Sequence, residues 1–401
     1  MIETAYIHIG TEKTGTTTIQ DFLESNLARL AEAGYATLPG MGERNQTRLA
    51  AYAMTDDGRQ TDLHVQYGLT GPAEREAFEA RVEEDLAAEL EAQADCHSLI
   101  VSSEHLQSRV RSGEGVAKLK ALLERHVKQV RIIVYLRRQD RMAVSAFSTR
   151  FKAGNLGTDV FPAKPDLPHY FDHAALLERW SGVFGRETMV VRIFEPGRLI
   201  AGDLIADFSD ALGLELSEAY EVPKTHNRSL NAAALRFLAE FNKHAPRIVD
   251  GRIDTSRQDV VESLETHYAG RAELVTRAQA EAFYARFAAG NAVILAEYFA
   301  ESGRTALFDD DFSMYPDAAE TADYGFEDAV EIAAHVWKDT ARRSRRLRAE
   351  NAYLRGHLSK CRNEYSQAAQ HYRNAISLHD APPAAYEEAL ESALASEVPA
   401  G

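Results

Sequence analysis

The residues best suited to chemistry in this sequence lie in a short loop near the N-terminus. The apolar run 6–9 ends at Gly10, and a second glycine, Gly15, precedes a helical pattern. The loop and the first helical positions carry one ammonium and several hydroxyls: Lys13, Thr14, Thr16, Thr17 and Thr18. Backbone N–H groups of such a strand–loop–helix unit, with the positive end of the helix dipole, converge on an anion. We therefore predict a phosphate-binding loop.

This loop differs from that of nucleoside triphosphatases, which carry a lysine directly after the second glycine. Gly10 and Gly15 have the required spacing, but Thr16 occupies the lysine position and Lys13 supplies the cation. The run 13–17, Lys-Thr-Gly-Thr-Thr, resembles the 5′-phosphosulfate loop of sulfotransferases that use 3′-phosphoadenosine-5′-phosphosulfate (PAPS), with the pattern Pro/Thr-x-Lys-[Ser/Thr]-Gly-Thr-[Thr/Ser]. The resemblance implies that residues 13–18 bind this co-substrate, and no metal is expected.

A second anion site is predicted from an arginine and a serine. PAPS has two anionic ends, the phosphosulfate and the ribose 3′-phosphate, so its site needs two separate groups of anion-binding residues. Arg137 follows the apolar run 130–136, and Ser145 lies eight residues later on the next predicted helix. In the sulfotransferases an Arg–Ser pair at this spacing holds the 3′-phosphate. Arg138 is the alternative contact, although the spacing favours Arg137.

Sulfuryl transfer to an alcohol needs a base for the acceptor hydroxyl and a cation at the leaving phosphate. Lys13 is the candidate cation. The candidate bases are Glu104 and His105, at the end of a strand predicted over 98–106. Carboxyl ends of parallel strands border the ligand crevice of open α/β sheets, which would bring both near the loop. The arrangement looks more like the glycan sulfotransferases with a Glu base, so Glu104 is favoured and His105 stays open.

A third candidate patch is the polar run 224–230. Related sulfotransferases close the nucleotide pocket with a late basic loop, and this resemblance makes Asn227, Arg228 and Ser229 candidate ligands. Capping of the following helix by Ser229 or Asn227 is the structural alternative.

The chain has 401 residues, 45% hydrophobic content and a net charge of −16. Its length predicts one large domain with an appendage, and its acidity argues against a general nucleic-acid binder. The two cysteines, Cys96 and Cys361, suggest neither a disulfide framework nor a zinc cluster. No apolar run reaches the roughly 20 residues that span a bilayer. We expect a cytoplasmic enzyme.

Alternating strands and helices predict an α/β fold, a three-layer P-loop-like parallel sheet flanked by helices, followed by a mostly helical C-terminal region. The predicted domains are 1–315, with a core over 1–230 and a helical completion over 231–315, and a tail over 320–401. No strand is expected beyond 229. The segment 365–386 resembles part of a tetratricopeptide repeat, a helical hairpin packed on the main domain or on a neighbouring subunit. We therefore hypothesise a homo-oligomer through the C-terminal helices.

The resemblance implies a PAPS-dependent sulfotransferase acting on a hydroxyl of a carbohydrate or another small metabolite. A P-loop kinase of small molecules is the enzymatic alternative, and a non-catalytic nucleotide-binding scaffold is the other. The basic run 342–348 is interpreted as a solvated helix face paired with acids, against a polyanion site.

Overall fold

The computed structural model describes residues 1–157, 159–162, 168–223, 229–249, 252–270, 272–319 and 325–397. The described residues form two compact units. The first comprises Met1–Asp254 with Arg271–Ala322, and the second comprises Thr255–Gly270 with Asp323–Gly401. In the described part of the chain, none of the helices has the length and apolar character of a membrane span.

The first unit is organised around a parallel sheet. Its strands are β1 (Ile2–His8), β2 (Tyr35–Thr37), β3 (Ser98–Ser102), β4 (Val127–Leu136) and β5 (Met189–Ile193), in the order β2-β3-β1-β4-β5. Each neighbouring pair is parallel. The predicted α/β fold, with a parallel sheet between helices and a helical C-terminal region, is confirmed.

Helices connect and cover the strands. They are α1 (Thr16–Ser25), α2 (Leu27–Glu32), α3 (Thr47–Ala53), α4 (Asp62–Tyr67), α5 (Pro72–Glu91), α6 (His105–Arg109), α7 (Gly113–Leu123), α8 (Gln139–Lys152), α9 (Pro168–Phe171), α10 (His173–Phe184), α11 (Leu204–Leu212), α12 (Ala232–His244), α13 (Arg257–His267), α14 (Arg277–Ala285), α15 (Ala288–Tyr298), α16 (Phe326–Cys361), α17 (Tyr365–Leu378) and α18 (Ala384–Glu397).

Both faces of the sheet are buried, which produces the three layers. In β4, Ile132 and Val134 belong to one core cluster, together with residues of α3, α5, α7 and α10. Ile133 and Tyr135 point to the opposite face, where they pack with residues of α1 and α11 such as Phe208. Successive side chains of a strand point to opposite faces, so a nearly continuous apolar run indicates a strand covered on both sides.

The topology creates a crevice between β1 and β4. The chain leaves β1 towards β2 at one edge of the sheet, and it leaves β4 towards β5 at the other edge. Ligands of open α/β sheets bind at such a switch point, outside the carboxyl ends of the strands. Here the loop after β1 is joined to β4, because Thr11 N–H donates to the Tyr135 carbonyl at 3.1 Å and Tyr135 N–H donates to the Gly10 carbonyl at 2.8 Å.

Two predictions about strands are wrong. The strand predicted over 98–106 ends at Ser102, and helix α6 begins at His105. The ladder with β1 ends at the pair His8–Ser102, so the backbone beyond it is free to turn. Strands also occur after residue 229, since β6 (Ile248–Val249) and β7 (Arg252–Ile253) form an antiparallel pair. Two-residue strands are too short to show an alternating pattern in the sequence.

The second unit is helical and contains α13, α16, α17 and α18. Helix α16 packs closely on α17 at Gly356, where a Cβ atom would lie 2.4 Å from the ring of Tyr372. In the basic run 342–348, Arg343 forms ion pairs with Asp259 at 2.6 Å and with Glu262 at 2.9 Å. Part of this run is therefore a solvated face paired with acids, as interpreted from the sequence.

A buried histidine in β1 predicts loss of stability in acid. His8 is fully buried, and its Nδ1 lies 2.8 Å from Ser102 Oγ. Burial lowers the pKa of His8 to about 3. Below its ordinary pKa of about 6.5 the unfolded chain binds a proton that the folded chain does not, so the unfolding free energy decreases as the pH falls from about 6.5, by at most about 1.4 kcal/mol per pH unit.

The measurement is urea unfolding between pH 7 and pH 5 for the wild type and for His8→Asn. In the variant the unfolding free energy should depend less steeply on pH, because most of the contribution of this one proton is lost. His244→Asn, which changes an exposed histidine, should keep it. An NMR titration of the folded protein in which the His8 ring protonates near pH 6.5 would contradict the prediction.

Candidate active site

The loop between β1 and α1 has two positions that require glycine. Gly15 has a φ of +76°, and a Cβ atom there would lie 2.3 Å from Leu204 Cδ2. Gly10 has a φ of +97°, and a Cβ atom there would lie 3.1 Å from the Cα of Glu104. Lys13 also has a left-handed backbone, with a φ of +70°. A loop curled in this way forms a concave array of backbone N–H groups, which is a typical anion site.

The hydroxyls predicted from the sequence do not all face the same way. Thr14 is fully buried, and its Oγ1 donates a hydrogen bond to the Thr11 carbonyl, so it braces the loop. Thr16 is buried at the first position of α1, and Thr17 and Thr18 are half-buried behind it. Among the described residues no side chain caps the first turn of α1. Its N–H groups are therefore suited to an anionic ligand.

The Lys13 ammonium is directed towards helix α8. Its Nζ donates to Thr149 Oγ1 at 2.7 Å, and Thr149 donates to the Ser145 carbonyl at 3.4 Å. Burial is the main cause that lowers the pKa of Lys13, and the nearby cations Lys152 and Arg137 lower it further. The carboxylates of Glu12 and Glu104 oppose this effect by raising the pKa, so the Lys13 ammonium lies among charges of both signs.

Arg137, at the end of β4, contacts the loop directly. It donates from Nη1 to the Lys13 carbonyl at 2.7 Å, and its guanidinium lies 5.7 Å from the Phe194 ring centroid. Burial, followed by repulsion from Arg141, lowers the pKa of Arg137 to about 10, which still leaves it charged at neutral pH. His173 donates from Nε2 to the Arg137 carbonyl at 2.7 Å and so supports this end of the strand.

Arg138 has a different environment. It is fully buried, with its Nε 2.8 Å from Asp140 and its Nη1 2.7 Å from Asp309. Its guanidinium also lies 4.1 Å from the Phe312 ring centroid. These ion pairs place Arg138 in the packing of the domain, whereas Arg137 lies at the loop.

A cavity of about 170 Å³ adjoins Arg137. Ser145, Ser148 and Ser229 supply its hydroxyls, and its apolar lining includes Val160, Leu235 and Val275. The structure therefore brings Arg137, Ser145 and Ser229 to one cavity. Ser148 Oγ is buried and has no hydrogen-bond partner among the described residues. The other two residues of the predicted late loop, Asn227 and Arg228, lie outside the described residues.

The two candidate bases face different neighbours. Glu104 lies against Gly10, and its Oε2 accepts a hydrogen bond from Gln20 Nε2 at 2.6 Å. Its negative charge also raises the pKa of Lys13. His105 Nδ1 instead lies 3.3 Å from the side-chain amide of Asn45. Glu104 is thus the candidate that is coupled to the loop cation.

A third carboxylate belongs to the loop itself. Glu12 Oε2 accepts a hydrogen bond from Tyr170 OH at 2.6 Å, and Glu12 Oε1 lies 3.5 Å from Arg109. Arg109 in turn pairs with Asp62 at 3.1 Å. These contacts tie the loop to α4, α6 and α9. Within the described part of the chain, no group of three or more His, Cys, Asp or Glu side chains could hold a metal ion.

Several residues of the candidate site were not predicted from the sequence. Gln20 lies four residues after Thr16 on the same helix, and Ser148 and Thr149 lie three and four residues after Ser145. Side chains at these helical spacings share a face, which was the available signal. His173 had no such signal, because its partner is a backbone carbonyl 36 positions earlier in the chain.

No family model matches the chain. An uncharacterized protein of Archaeoglobus fulgidus is 25% identical over 198 residues, which are 47% of this chain and 52% of that protein. The chain therefore spans about half the length of the curated relative it matches. The crystal structure of a sulfotransferase from Alicyclobacillus acidocaldarius aligns with a TM-score of 0.42 and 14% identity, over 76% of this chain and 100% of that one. At this level the likeness assigns neither an activity nor a substrate to this chain.

Proposed function

We propose that this protein is a sulfotransferase that moves the sulfuryl group of PAPS to an acceptor hydroxyl. The observation that supports the proposal is the contact between two groups of anion-binding residues, one in the loop after β1 and one at the end of β4 and on α8. Lys13 is hydrogen-bonded through its ammonium to Thr149 on α8 and through its carbonyl to Arg137. One ligand with two anionic ends would contact both groups.

The residues present fit the co-substrate. The first turn of α1, which no side chain of the described residues caps, and the Lys13 ammonium suit the 5′-phosphosulfate. Arg137 and the hydroxyl of Ser145 suit the 3′-phosphate, because a guanidinium offers several donors in a planar fork. The Ser148 hydroxyl in the same cavity, which has no hydrogen-bond partner in the described part of the chain, is a further donor for this end.

The reaction is an in-line displacement at sulfur. The acceptor oxygen forms the new S–O bond while the S–O bond to the 5′-phosphate breaks, and the bonding electrons stay with the phosphate. In the proposal Glu104 accepts the acceptor's proton and Lys13 neutralises the charge that grows on the leaving oxygen. Gln20 holds the Glu104 carboxylate in place.

We propose a carbohydrate as the acceptor. The support is the resemblance to sulfotransferases with a Glu base, which favour glycans. A small-metabolite alcohol is the second choice.

The test is a thermal-shift comparison of 3′-phosphoadenosine-5′-phosphate with ATP and Mg²⁺. A ligand at 100 times its Kd stabilises the fold by about 2.7 kcal/mol, which gives a clear shift. The proposal expects a shift with the bisphosphate. A shift with ATP–Mg²⁺ alone would support a kinase, and no shift with either nucleotide would contradict both the sulfotransferase and the kinase.

Arg137→Ala should mainly weaken nucleotide binding. Hydrogen bonds to charged groups contribute about 1.5–3 kcal/mol, so we expect the Kd for the bisphosphate to rise about 10–150-fold. Titration calorimetry measures it, and Arg29→Ala on the exposed side of α2 is the matched control. An unchanged Kd in Arg137→Ala would contradict the proposal that Arg137 binds the second anionic end of the ligand.

A further inference from the structure

Helix α16 carries an exposed stripe with the seven-residue repeat of a coiled coil. One set of positions, called a, comprises Val330, Trp337, Ser344, Asn351 and Leu358, and the other, called d, comprises Phe326, Ala333, Thr340, Leu347, Leu354 and Cys361. We call these residues the seam. All of them except Ser344 are exposed, including Phe326 at 84%, Trp337 at 70% and Leu354 at 60%.

The seam lies beside the face that packs within the second unit, and at Leu347 it lines a groove together with Asp259 of α13 and Leu378 of α17. The buried positions of α16 towards its C-terminus are Ala349, Ala352, Gly356 and Ser359, which lie at the b and f positions of the same heptads. Gly356 meets Tyr372 of α17 there. A helix that already packs by one face therefore presents a second stripe, about 54 Å long for its 36 residues.

We propose that the seam pairs with the seam of a second copy of this chain, as a parallel, in-register two-stranded coiled coil. A heptad stripe is complementary to itself, because each a or d side chain inserts between four residues of the facing helix. Fully burying an aromatic side chain removes about 150–250 Å² from water, so Phe326 and Trp337 alone would bury on the order of 300 Å² per copy. A standard interface needs roughly 800 Å² per partner, and four exposed aliphatic seam residues add to this area.

Charge complementarity favours the parallel arrangement. Glu350 and Arg355 occupy flanking g and e positions, where a parallel pair brings Glu350 of each copy to Arg355 of the other. Both are exposed, and neither forms an ion pair within the described part of its own chain. Arg343 and Arg348 would also approach across the seam, but Arg343 is already neutralised by Asp259 and Glu262.

Asn351 also favours the parallel arrangement. In the parallel register it faces the partner's Asn351, and the two amides can hydrogen-bond, which is how a buried asparagine at an a position fixes register. An antiparallel pairing with full overlap would place Asn351 opposite the partner's Ala333. A buried amide without a partner is costly.

The first test is sedimentation velocity of the full chain. The wild type should have twice the 44.5 kDa mass of one chain, and Leu347→Glu combined with Leu354→Glu should restore the monomer with an unchanged circular dichroism spectrum. Lys338→Glu, at an exposed position of α16 outside the seam, should stay dimeric. A monomeric wild type, or a double variant that remains a dimer, would overturn the proposal.

The second test uses the native thiol at the end of the seam to read the orientation. In the parallel register Cys361 lies beside the partner's Cys361, so diamide, which takes up the two thiol hydrogens, should link the copies by a disulfide. Cys361→Ser should abolish this link and Cys96→Ser should retain it. A dimer that forms no Cys361 disulfide would refute the parallel register. Both tests are independent of nucleotide binding.

Discussion

Lys13→Ala is expected to lower the turnover of sulfuryl transfer by about 10²–10⁴-fold. In the proposed reaction the ammonium stabilises charge that develops on the leaving phosphate oxygen only as the bond breaks. Its position is fixed by the left-handed backbone at Lys13 and by the hydrogen bond to Thr149. Single-turnover assays with PAPS and a hydroxyl acceptor measure the effect on the chemical step.

Lys152→Ala is the matched control for this variant. Lys152 is close enough to lower the pKa of Lys13, but it stands at the end of α8 outside the loop. Removal of its charge should therefore change turnover only several-fold through the local field. Equal losses in the two variants would show that the site needs positive charge in general, and that Lys13 has no specific role at the leaving group.

Glu104→Gln is expected to cause a loss of similar size, about 10²–10⁴-fold, while binding of 3′-phosphoadenosine-5′-phosphate stays near the wild-type value. The amide keeps the shape of the side chain and can still contact Gln20, but it cannot accept the acceptor's proton. The measurement is again the single-turnover rate, with calorimetry of the bisphosphate as the readout for the donor site.

Two further variants distinguish the role of the proposed base from the roles of the residues around it. Gln20→Leu removes the hydrogen bond that holds the carboxylate, and we expect a loss of at most about 10–150-fold, since such bonds to charged groups contribute about 1.5–3 kcal/mol. His105→Asn should leave the rate nearly unchanged. If His105→Asn abolishes turnover and Glu104→Gln does not, His105 is the base.

The sequence determined the order of strand, glycine-containing loop and helix near the N-terminus, because these elements are contiguous. A strand, two glycines and a helix follow each other within residues 2–25. The curvature of the loop also depends on distant contacts, such as those of Thr11 with Tyr135 and of Gly15 with Leu204. The strand–Arg–helix unit of β4 and α8 is equally contiguous. The parallel sheet was predictable for a related reason, since strands buried on both faces are continuous apolar runs.

Contacts between distant segments decided the rest. The sequence could not show where β3 ends, because its length is set by pairing with β1, as far as His8 and Ser102. Spacing favoured Arg137 over Arg138, but the sequence could not show their contacts, since Arg138 is held by Asp309, 171 positions away, while Arg137 reaches back 124 positions to the Lys13 carbonyl. Likewise, the exposure of the α16 seam depends on which face of that helix α17 covers. The motifs are thus contiguous in sequence. Their contact partners depend on packing between segments far apart in the chain, and no periodic sequence pattern marks such contacts.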